Sequence, residues 1–273
     1  MLGPGWAVDI VAAVAAFMIA LAATPAGISG AVLLLPFQVS VLGTPSPAVT
    51  PTNLLYNVVA TPGALYRYWR QGQTGGRLTL ILLSGTLPGV IAGSVIRVEL
   101  LPGPAVFALV VAAVLIPLGG WLAVTRPQQA AAIKPVPDDP AGAEPRRGSP
   151  LVLVMLAAGV GCVGGIYGIG GGSILAPILI GTGRRPAEVA PAALASTFVT
   201  SVAGVVTFTI LAASRSGAVA PDWPTGVALG VGGLAGAYLG ARLQSRLPDA
   251  AIRRIVGILV VAIGARYLLA GLG

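Results

Sequence analysis

Ten apolar runs separated by short polar stretches pattern the chain. They fall near 6–24, 27–42, 48–66, 78–96, 104–124, 150–167, 171–182, 188–213, 223–241 and 251–271. Crossing about 30 Å of hydrocarbon takes about 20 helical residues, and most of the runs approach that length. The second and seventh do not. At about 1.5 Å per residue they reach only ~24 and ~18 Å. Each is expected to be a half-helix, or one arm of a hairpin entering the membrane with its predecessor.

Both short runs begin at a glycine motif. The second copy reads Gly168-Ile169-Gly170-Gly171-Gly172-Ser173-Ile174-Leu175-Ala176-Pro177. Each glycine costs a helix about 1 kcal/mol against Ala. Gly27-Ile28-Ser29-Gly30-Ala31-Val32-Leu33-Leu34-Leu35-Pro36 reads the same way in the first half. Gly27, Pro36, Gly168 and Pro177 are the expected helix breakers. A lone motif of this kind is read as a helix-packing notch. A pair at matching places in two halves points to the binding site of a transporter with internal repeats.

The repeat extends further. Val49-Thr50-Pro51 matches Val189-Ala190-Pro191, and Gly85–Gly93 matches Gly232–Gly240. Leu101-Pro102 and Leu247-Pro248 follow. The chain therefore divides into a first repeat at 1–125, a polar, Pro-rich linker at 126–149 and a second repeat at 150–273. Five segments per half is an odd number, so the second half runs upside down. The expected fold is an all-α polytopic membrane protein of two inverted repeats of about five transmembrane segments each, with short, glycine-broken segments two and seven.

Composition agrees. The 273 residues are 56% hydrophobic and 9% charged, with a mean hydropathy of +0.92, against about 25% charged in a soluble domain. The net charge of +8 does not indicate nucleic acid, because the basic residues sit in short loops. With the N-terminus outside, Arg67, Arg70, Arg77, Arg126, Lys134, Arg146, Arg147, Arg184, Arg185, Arg242, Arg246, Arg253 and Arg254 fall inside. Arg97, Arg215 and Arg266 fall outside. This bias places both termini outside a bacterial cytoplasmic membrane and the linker inside. The N-terminal run lacks the basic start of a signal peptide and reads as the first, retained span. Cys162, the single cysteine, has a packing role.

The candidate chemistry is anion binding without a cofactor or metal. A helix N-terminus carries unpaired N–H groups and about half a positive charge. One is expected after Gly30 and one after Gly172. The candidate substrate-binding residues are Ser29, Gly30, Ala31, Asn53, Asn57, Gly170, Gly171, Gly172, Ser173, Thr197 and Ser201. Asn53 and Asn57 share a helical face, as do Thr197 and Ser201. Interhelical hydrogen bonding is the competing use of such residues. No Asp, Glu, Lys or Arg falls in the middle of a run, which argues against a carboxylate proton relay. Gly27-Ile28-Ser29-Gly30 fits an intramembrane serine protease motif, but the chain has no histidine to serve as its usual base. Gly168–Gly172 has no following Lys and no βαβ context for a nucleotide loop.

With Gly168-Ile169-Gly170-Gly171-Gly172 and Pro177, the weaker first copy and two similar halves around a polar linker, nearly the whole chain resembles the TauE/SafE sulfite exporter family, the TSUP membrane transporters. The first copy departs from the full glycine motif at Ser29 and Ala31. The resemblance implies movement of small sulfur-containing anions such as sulfite or sulfonates, with export the expected direction. A permease or importer for another small anion and a non-transporting membrane assembly protein or enzyme stay open. The expected partners are the anion and the lipid bilayer, with no nucleic acid. Close packing of Gly-rich spans allows a homodimer.

Overall fold

The computed structural model describes residues 5–24, 28–45, 48–72, 76–101, 149–181, 184, 186–215 and 219–243, with single positions at 113, 116, 117, 120, 261 and 265. The expected fifth and tenth segments, apart from those positions, nearly all of the 126–149 linker, and Gly27 lie outside the described residues.

Within them every element is helical. The helices are α1 (Gly5–Ala23), α2 (Ala31–Phe37), α3 (Val49–Arg70), α4 (Gly76–Glu99), α5 (Pro150–Tyr167), α6 (Gly172–Gly181), α7 (Pro186–Ser214) and α8 (Trp223–Leu243). Five of these, α1, α4, α5, α7 and α8, are long and apolar enough to cross a membrane. With 22 residues, α3 has the length but not the hydropathy. It carries Thr50, Thr52, Asn53, Asn57 and Thr61, all buried among its neighbours.

Both short helices run past their proline, Pro36 by one residue and Pro177 by four. Beyond Pro36 the chain continues as a π-helical turn, Gln38–Leu42, in which the Gln38 N–H reaches back to the Leu34 and Leu35 carbonyls. Proline lacks an N–H and opens the ladder, and the wider turn takes up the loosened carbonyls. Pro177 lies inside α6, which runs four residues past it. Membrane helices tolerate such breaks where neighbours satisfy the backbone.

Glycines set how the long helices lie together. A β-carbon on Gly85, Gly89 or Gly93 of α4 would strike the Val154, Ala158 or Cys162 carbonyl of α5. Residue numbers rise together on both, so α4 and α5 run parallel, backbone on backbone. Gly232 and Gly236 of α8 meet the Ala13 and Phe17 carbonyls of α1 in the same manner. Gly226 and Gly230 of α8 rest on Leu55 and Val59, making α3 parallel to α8. By contrast, α3 and α7 are antiparallel. Gly204 faces Leu54, Leu54 and Leu55 cluster with Val205 and Phe208, and Ala64 and Tyr68 cluster with Ala190 and Leu194. Thr86 and Val90 of α4 face Ser196 and Gly204 of α7, so those two run together.

Thus α1, α3 and α8 point one way, and α4, α5 and α7 the other. One end of the bundle then collects Arg67, Arg70 and Arg242 from helix C-termini and Arg77 and Arg184 from helix N-termini. The opposite end has Arg97 and Arg215, the latter paired with Glu99 at 2.7 Å. Trp69 is exposed at the basic end, and Trp6 and Trp223 at the other. Amphipathic rings sit at both membrane interfaces in this way.

Candidate functional site

At the second glycine motif α5 ends in a left-handed cap. Gly168 has φ +77° and donates its N–H to the Gly164 carbonyl at 2.9 Å. Gly170 has φ +71°. An L-residue at either place costs about 1–2 kcal/mol. The chain turns back and α6 begins at Gly172, against the middle of α7. A β-carbon on Gly170 would lie 3.0 Å from Thr197 Cγ2 and 3.1 Å from Ser201 Oγ. One on Gly172 would lie 2.6 Å from Thr197 Oγ1. Ser173 Oγ sits 3.4 Å from Thr197 Oγ1 and donates to the Ile169 carbonyl at 3.2 Å. Gly171 faces away from this group, toward Thr86 of α4.

The first motif approaches α3 at a matching place. The Ser29 hydroxyl donates to Asn57 Oδ1 and accepts the Ala31 N–H at 3.2 Å. Gly30 lies beside Tyr56 and Ile19, without a positive φ. Asn53 Nδ2 donates to the Ala31 carbonyl at 2.9 Å, and Gln38 Nε2 donates to Asn53 Oδ1 at 2.9 Å. Asn53 therefore holds α2 and its π turn in place.

The two motifs share one apolar cluster, in which Ile28, Ala31 and Tyr56 meet Tyr167, Ile169 and Ile174. The antiparallel register of α3 on α7 does the rest. With Leu54 against Gly204 and Ala64 and Tyr68 clustered with Ala190 and Leu194, Asn57 comes level with Ser201, and Thr61 with Thr197. Ser29, Asn57, Gly170, Thr197 and Ser201 thus gather where α3 crosses α7. Asn57 and Ser201 are fully buried. Among the described residues, Asn57 Nδ2 and Ser201 Oγ have no hydrogen-bond partner. A buried polar group left so costs about 1–3 kcal/mol. Asn53 is doubly bonded, so one asparagine on this face is framework, and the next keeps a donor unpartnered among the described residues.

The chemistry available is donation. An amide N–H₂ on α3 lies level with a hydroxyl on α7, and that hydroxyl neighbours the glycine turn that leads into α6, with its positive dipole end. Charged side chains among the described residues stay within five residues of a helix end or just beyond it, Asp9 in α1 lying deepest. Sequence reasoning missed two buried polar residues of the bundle. Gln38 belongs to the π turn, which no local signal marks. Arg97 falls just past an apolar run and reads as a loop residue. In the structure it is fully buried in the last turn of α4. The spacing Thr86, Val90, Ser94, Arg97, one helical face continued to the arginine, was the available signal.

Among the described residues, an all-helical bundle with a polar, donor-rich centre between two glycine-broken segments fits the class of membrane transporters. The chain belongs to the sulfite exporter TauE/SafE family, whose model matches residues 12–267. It is also similar to the probable membrane transporter protein YunE of Bacillus subtilis (strain 168), with 32% identity over 122 residues. That alignment covers 44% of this chain and 42% of the relative. No solved structure matches the chain.

Proposed function

We propose that this transporter moves small sulfur-containing anions, sulfite or sulfonates such as sulfoacetate, outward across a bacterial cytoplasmic membrane. Alternating access works around a site at the α3–α7 crossing. The observation that carries the reading is the pair of buried atoms unpartnered among the described residues, Asn57 Nδ2 and Ser201 Oγ, level with each other and near the two glycine motifs. Donors at one level of the bundle without a carboxylate beside them suit a compact oxyanion. A sulfonate headgroup, with several acceptor oxygens, takes more than one donor at once. A cation meets the positive end of α6 and is repelled.

The same reading includes two inverted repeats. Its support is that contacts recur between equivalent segments. Gly85, Gly89 and Gly93 pack on α5, and their repeat partners Gly232 and Gly236 pack on α1. Ala31 is bonded to Asn53, and Gly172 abuts Ala193. Ser29 is bonded to Asn57, and Gly170 abuts Thr197. The equivalent helices α3 and α7 lie antiparallel, as an axis in the membrane plane requires. The basic end of the bundle is assigned to the cytoplasm.

The test is binding and flux in proteoliposomes with sulfite, sulfoacetate, taurine, thiosulfate and sulfate. Saturable sulfite or sulfoacetate flux that weakens in Ser201→Ala and Asn57→Ala supports the proposal. Flux confined to an unrelated solute, or unchanged in both variants, refutes it.

A further inference from the structure

Arg97 is the one fully buried charged side chain among the described residues. Its Nε donates to Thr50 Oγ1 at 3.2 Å, and its NH1 donates to the Leu101 carbonyl. A cation capping a helix C-terminus explains the second bond. It does not explain the first, which crosses to another helix. Thr50 heads the buried polar face of α3, continued at helical spacing by Asn53, Asn57 and Thr61. That face leads from Arg97 to the α3–α7 crossing. Thr50 also donates to the Ile166 carbonyl at 3.3 Å, and its own carbonyl blocks any side chain at Gly168. One contact therefore ties α4, α3 and the second glycine turn together at the end of the bundle opposite the basic face. Just inward, Ser94 of α4 is buried, with its hydroxyl unpartnered among the described residues.

We propose that the Arg97–Thr50 contact is the outer gate of the transport route, and that the guanidinium takes the departing oxyanion when it releases Thr50. This rests on the site and orientation proposed above. Arginine suits the task because its planar fork stays charged and matches an oxyanion with two donors. Closed, the fork holds Thr50 and the α4 carboxyl end. Open, it offers those donors to the substrate at the exit.

The test uses the full chain in a Cys162→Ser background with Ser94→Cys as reporter, in oriented proteoliposomes. Anionic and cationic methanethiosulfonate reagents are applied from the side opposite the basic face. Arg97→Gln is expected to raise labelling by the cationic reagent roughly tenfold, the effect of one lost hydrogen bond to a charged group. It also lowers the anionic-to-cationic rate ratio, which a purely structural role does not move. Arg97→Lys restores that ratio. Thr50→Val opens the reporter equally while keeping the charge, and serves if Arg97→Gln does not fold. Sulfite affinity at the crossing stays within about twofold, since the gate lies outside that site. Labelling unchanged in both Arg97→Gln and Thr50→Val, or an unaltered rate ratio in Arg97→Gln, overturns the gate. Labelling needs no substrate, so a failed gate and a failed binding site give different results.

Discussion

Two asparagines one turn apart on α3 show how little residue type alone decides. Asn53 has both ends of its amide engaged, by Ala31 and Gln38. Asn57 accepts from Ser29 and keeps its N–H₂ unpartnered among the described residues. Asn53→Ala is therefore expected to destabilise the protein by about 1–3 kcal/mol, seen as a lower thermal midpoint in detergent. Ser201→Ala removes a hydroxyl unpartnered among the described residues. Its midpoint stays at or above the parent's while sulfite affinity falls about tenfold, one hydrogen bond's worth. A stability loss with unchanged affinity counts against the site. The glycines separate similarly. Gly168→Ala meets both a left-handed backbone and the Thr50 carbonyl, whereas Gly43→Ala at φ +68° meets open space. The second loses only the conformational term of about 1–2 kcal/mol, and the first loses clearly more. The motif itself was legible from sequence. The difference between Asn53 and Asn57 was not, because it depends on the π turn that brings Gln38 across.

At the scale of elements, the long spans and both short segments follow from the apolar pattern, and α6 begins within a residue of the expected break. What the pattern does not carry is pairing. A run of hydrophobic residues is apolar on every side, so it does not name its neighbour. The glycine rows do, once their contacts are known. Gly89→Leu drives a side chain into the Ala158 carbonyl of α5 and is expected to cost about 3 kcal/mol or more. Gly159→Leu, on the exposed side of α5 with nothing within 4 Å, is expected to be neutral. Size-exclusion profiles after detergent extraction compare the two. If Gly159→Leu aggregates and Gly89→Leu does not, the α4–α5 interface is misassigned. The prolines marked the short segments correctly but not their ends, since backbone opened by a proline in a membrane helix is taken up by neighbouring turns and helices.

For the whole molecule, charge and direction agree. The alternation of α1, α3 and α8 with α4, α5 and α7 gathers five arginines at one end, the end that the proposed orientation sets in the cytoplasm. In a Cys162→Ser background, Leu100→Cys is expected to react with an impermeant reagent outside intact cells, and Gln71→Cys is not; the reverse pattern inverts the topology. Orientation bears on energetics. An inside-negative potential contributes about 2.3 kcal/mol per charge per 100 mV and pushes an anion outward. The proposed site, with neutral donors and no mid-span carboxylate, fits electrogenic export without a coupling ion. The most direct measurement is sulfoacetate flux in proteoliposomes under an imposed potassium-diffusion potential, with the parent chain and Asn57→Ala/Ser201→Ala. The account predicts efflux that rises with inside-negative potential, needs neither a pH nor a sodium gradient, and is lost in the double variant. Flux indifferent to potential and strictly dependent on such a gradient, or undiminished in the double variant, contradicts it.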